Sequence, residues 1–108
     1  MPTQADFFFG NVTVTAGATA VSIYDLLVAN SYTPKGGCVA LNVTFSSNTY
    51  WGNASTVTNT DGGLVTANTP VTDSATGGGS NMIPIAHMFV FKQAAGDASG
   101  VIYARFTP

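Results

Sequence analysis

The chain has 108 residues, 45% of them apolar, and a net charge of −2 from five Asp, two Lys and one Arg, with no Glu at all. That length suits one domain with one modest core. The apolar share excludes a disordered chain, and no apolar run is long enough for a membrane helix. Three dispersed cations, Lys35, Lys92 and Arg105, cannot supply the phosphate-neutralising cluster of a nucleic-acid binder. With 15 Thr and 11 Val against 4 Leu, the composition favours pleated structure over helix.

Taken in order, the chain opens with Phe8, Gly10, Val12 and Val14 alternating against Phe7, Phe9, Asn11, Thr13 and Thr15. This period of two predicts a half-buried strand, bent or bulged at Gly10. After a turn at Gly17-Ala18, a second strand is expected over Ala20–Asp25 with Val21 and Ile23 inward. Leu26–Asn30 fits either a helical turn or further extended chain, and Ser31–Gly37 reads as a loop. Cys38–Phe45 has the strongest alternation, with Val39, Leu41, Val43 and Phe45 expected on the core face. Ser46-Ser47-Asn48 then predicts a hairpin into Thr49–Gly52, which carries the only Trp. Asp61-Gly62-Gly63 marks a turn before a short strand at Leu64–Ala67. Asn68–Ser80, with Gly77-Gly78-Gly79, reads as a surface connection. Ile83-Pro84-Ile85 is expected to open a last hairpin through Ala86–Lys92, with Gln93–Gly100 as its connection. Val101–Phe106 closes the chain, with Ile102, Ala104 and Phe106 sharing a face. Seven or eight short antiparallel strands in one all-β domain, residues 1–108, predict a small β-sandwich or jelly roll.

Little in the chain suggests catalysis. The five Asp lie beside turns or termini, and His87 runs in phase with Phe89 and Phe91, as a packed or rim residue does. One His and one Cys cannot supply a zinc site, and Asn59-Thr60-Asp61-Gly62 fails the register of an EF-hand loop. No cofactor and no metal are expected. Cys38 excludes an internal disulfide and reads as a buried, inert thiol. Tyr50-Trp51, amid Asn48, Asn53 and Thr, offers either a carbohydrate-stacking platform or the core aromatic of a small sandwich. Phe7 and Phe9 point away from the face that holds Phe8, so they are the expected contacts for a partner or a sister subunit.

The surface composition suits a protein that works outside cells, yet MPTQADFFFG has neither the basic region nor the apolar length of a signal peptide. Virion components, made in a host cytoplasm and used outside it, reconcile the two. Three runs carry a resemblance in that direction: Val12–Val21, Ser47–Gly52 and Gly100–Phe106. Together they resemble the small β-sandwich virion proteins of tailed bacteriophages, as an opening strand pair, an aromatic-glycine strand and a closing strand. The Gly77-Gly78-Gly79 loop and the Gln93–Gly100 connection depart from that pattern. The resemblance implies a non-enzymatic virion protein, foremost a capsid decoration (cement) subunit. Its expected partners are itself, as a symmetric oligomer (a trimer at threefold lattice positions), and the major capsid protein or another virion protein, with no nucleic acid and no membrane. The alternatives are a carbohydrate-binding adhesion module, using Tyr50 and Trp51, and a tail or fibre-base component.

Overall fold

Alternating polarity builds the sheets of this protein, and one serine interrupts them with a helix. The computed structural model describes residues 6–74, 82–93 and 95–107. These form β1 (Phe7–Val14), β2 (Val21–Ser22), α1 (Ile23–Ala29), β3 (Cys38–Phe45), β4 (Thr49–Gly52), β5 (Gly63–Val65), β6 (Val71–Ser74), β7 (Phe89–Phe91) and β8 (Ala98–Phe106). The strands make two four-stranded antiparallel sheets, ordered β1-β8-β3-β6 and β2-β7-β4-β5. The expected small all-β sandwich is what forms.

β8 organises the first sheet. Ala98, Gly100, Ile102, Ala104 and Phe106 are buried while the residues between them are exposed. It pairs with the whole of β1, Phe7 opposite Arg105 through Val14 opposite Ala98, and on its other side with β3. The inward residues of β1, β3 and β8 meet Ile23, Leu27 and Val90 in a single core. Apolar surface removed from water there supplies the main stabilisation, roughly 1.5–3 kcal/mol per large side chain.

Several expectations need correction. The second strand stops at Ser22, whose Oγ accepts a hydrogen bond from the Asp25 N–H at 3.0 Å. This N-cap starts α1, and Ile23, Leu26 and Leu27 reach the core by helical spacing. In β3 the register shifts between Cys38, opposite Phe106, and Ala40, opposite Arg105. The bulge turns Cys38 inward and leaves Val39 half-buried outside the core, whereas Leu41, Val43 and Phe45 are buried as expected.

Neither predicted hairpin forms. β3 and β4 belong to different sheets, as do β7 and β8, so both connections cross the sandwich. The stretch read as surface connection contains β6, paired with β3 from Ala40–Ser74 to Val43–Val71. Gly77-Gly78-Gly79 lies outside the described residues. β8 begins at Ala98, earlier than expected, and takes in Ser99 and Gly100. A 3-10 turn at Ile85–His87 removes His87 from the strand alternation and leaves it exposed.

Candidate functional site

Side chains on the outer face of the first sheet are set by the β1–β8 register. Phe9 lies opposite Tyr103 and Phe7 opposite Arg105. The Tyr103 ring contacts both phenyl rings, with centroids 6.2 Å from Phe7 and 6.4 Å from Phe9. Phe7 is 50% exposed and Phe9 69%, and Val101 continues the patch along β8. Phe8, on the other face, packs edge-on against Tyr32 at 5.7 Å and joins the core. Strand periodicity therefore divides three consecutive phenylalanines as the sequence predicts: one inward, two outward. Tyr103 and Val101 belong to the same patch, which the sequence alone does not connect to Phe7 and Phe9. Alternation puts Val101 and Tyr103 on one face of Val101–Phe106, but only the register shows that face beside Phe7 and Phe9.

Tyr50 and Trp51 occupy β4 of the second sheet and are both half-buried. The Trp51 indole meets Phe45 edge-on at 6.4 Å, and its Nε1–H donates to Thr49 Oγ1 at 2.9 Å. Thr49 is fully buried, so the indole's one polar group is spent inside the sandwich. A shallow cleft of about 430 Å³ lies elsewhere on the protein, lined by Thr19, Ser55, Thr56, Thr58 and Phe91 among others. A smaller hollow of about 130 Å³ beside it includes Asn53 and Asp61.

Two aspartates tie loops. Asp61 Oδ1 accepts from the Thr58 N–H at 2.7 Å, and Asp97 Oδ1 accepts from the Ala16 N–H at 2.9 Å. Cys38 is buried, and its Sγ–H points to the Ala40 carbonyl at 3.4 Å. Burial pushes this thiol above its usual range, which opposes thiolate chemistry. Among the described residues no three His, Cys, Asp or Glu side chains cluster as metal ligands, and no helix is long and apolar enough to cross a membrane. No family model, curated protein or solved structure matches the chain.

Proposed function

We propose that this protein is a non-enzymatic structural subunit of a virion, a capsid decoration subunit seated on the shell through the outer face of its first sheet. The observation that carries the binding face is the pair of exposed rings, Phe7 and Phe9, held against Tyr103 on a regular strand ladder. A rigid sheet presents these rings at little ordering cost, and covering their exposed parts contributes about 2–4 kcal/mol. The assignment to a virion rests on the sequence resemblance and on the low-charge, Thr-rich composition. A tail or fibre-base position would use the same face.

The carbohydrate-binding alternative has weaker support, because the Trp51 indole packs against Phe45 and its N–H is already bonded. The deciding experiment is the double substitution Phe7→Ser with Phe9→Ser. The expected result is a normally folded protein with a nearly unchanged thermal midpoint that no longer binds shells lacking their decoration. Unfolding of the variant, or shell binding equal to the parent's, overturns the reading.

A further inference from the structure

β1 ends the first sheet, and its backbone has a parity that two hydrogen bonds fix. The Phe106 N–H donates to the Asp6 carbonyl at 2.7 Å, and the Ser46 N–H donates to the Ser99 carbonyl at 2.9 Å. In an antiparallel ladder, bonded pairs alternate with non-bonded ones along each strand. Even-numbered residues of β8 therefore bond to β1 and odd-numbered ones to β3. By the same count Phe8, Gly10, Val12 and Val14 bond inward, while the N–H and C=O groups of Phe7, Phe9, Asn11 and Thr13 face the edge on which, among the described residues, no strand lies.

The other three edges are blunted by shortness. β2 has two residues, β5 three, and β6 four including Asp73. β1 has eight, with sequence FFFGNVTV, and carries no charge and no proline. Long, flat, uncharged edges are what native sheets normally avoid, because they template another strand.

We propose that β1 is a self-pairing edge, and that two copies join antiparallel through it into one continuous eight-stranded sheet. Full use of the outward groups sets the register. Phe7 faces Thr13 of the second copy, Phe9 faces Asn11, and the two Gly10 residues meet across a twofold axis. The outer-face rows then read Arg105, Phe7, Thr13, Ser99 and Tyr103, Phe9, Asn11, Val101, so no like charges oppose each other although each copy carries −2. The two Phe9 rings become diagonal neighbours, within reach of aromatic contact.

The size of the contact sets its strength. Edge pairing covers the strand backbone and only the flanks of the outer-face rings, so the contact falls below the roughly 1,200 Å² of a stable interface. The edge therefore supports a weak, concentration-dependent dimer. Its twofold closure differs from the threefold assembly that the resemblance implies. It does not depend on the virion assignment, since its test uses the purified chain alone.

The test compares mass and amide exchange by NMR at about 20 μM and about 1 mM, a range that brackets weak association. The expected result is a mass that doubles, with the amides of Phe7, Phe9, Asn11 and Thr13 slowing at high concentration. Those of Phe8, Gly10, Val12 and Val14, already bonded, stay as they were. Asn11→Pro deletes one outward N–H in each copy and no β1–β8 bond, so it should leave the fold intact and weaken the dimer about tenfold or more. If that variant does not fold, Asn11→Lys keeps the N–H and sets like charges near each other across the axis, with the same loss expected. A monomer at the higher concentration overturns the proposal. So does a trimer, a dimer whose odd-numbered amides stay unprotected, or a folded variant that dimerises as the parent does.

Discussion

Phe45 occupies the space where a side chain at position 100 would stand. A Cβ on Gly100 would lie 2.5 Å from Phe45 Cδ1 and 2.7 Å from the Thr44 carbonyl oxygen. Neither the buried ring nor the strand backbone yields easily, so Gly100→Ala should cost about 1–3 kcal/mol by overpacking, read as a lower urea midpoint at constant slope. Cys38 makes a second prediction at this scale. Its folded pKa is raised, chiefly by burial, and so is that of Tyr32, where burial acts first and the Asp6 carboxylate adds to it. The unfolded chain then gives up these protons at lower pH than the folded one. The stability they protect is complete below the ordinary thiol pKa of about 8.5 and falls as pH rises through and beyond it. Urea midpoints should hold up to about pH 8 and decline above it. The decline between pH 8 and 10 should be shallower in Cys38→Ala, because the thiol's share of it is then removed.

Elements differ in how far the sequence reveals them. β1, β3 and β8 are legible because each has one face in the core and one in water, so polarity repeats every two residues. β6 is not, since Val71 is its only apolar residue and its partner β3 supplies the pairing. The Ser22-to-Asp25 capping pattern stood in the sequence, but the apolar run around it fits a strand as well as a helix. Periodicity also says which face a residue takes and nothing about which sheet its strand joins, and so both crossovers looked like hairpins. The same limit hid the bulge, because an extra residue at Val39 leaves the pattern beyond it unbroken. The bulge makes a sharp prediction. Leu41→Ala, at a buried position, should cost about 2–5 kcal/mol, while Val39→Ala should cost under about 1 kcal/mol because that side chain lies outside the core. Equal losses in thermal melts of the two variants would mean that Val39 is packed like Leu41.

Across the whole molecule, neither sheet owns a core of its own. Phe45 of the first sheet and Trp51 of the second meet ring to ring, and α1 contributes Ile23 and Leu27 to the same cluster. Tryptophan emission therefore reports on packing between the sheets, and circular dichroism reports on the strands themselves. The two signals should give one urea midpoint, since separating the sheets exposes the interior of both. The exposed patch was legible as far as Phe7 and Phe9, from parity alone. Its completion by Tyr103 and Val101 required the pairing of strands about ninety residues apart.

That pairing has a consequence during synthesis. β1 leaves the ribosome long before β8 exists, because Ala98, the start of β8, lies 84 positions after Val14, the end of β1. At roughly 5–20 residues per second, a phenylalanine-rich strand waits about 4–17 s for β8, its partner in the sheet. During that interval both of its backbone edges are open, and nascent chains on one messenger lie close together. A holding chaperone that masks the first fifteen residues would therefore raise the yield of folded protein more than one acting on the finished chain.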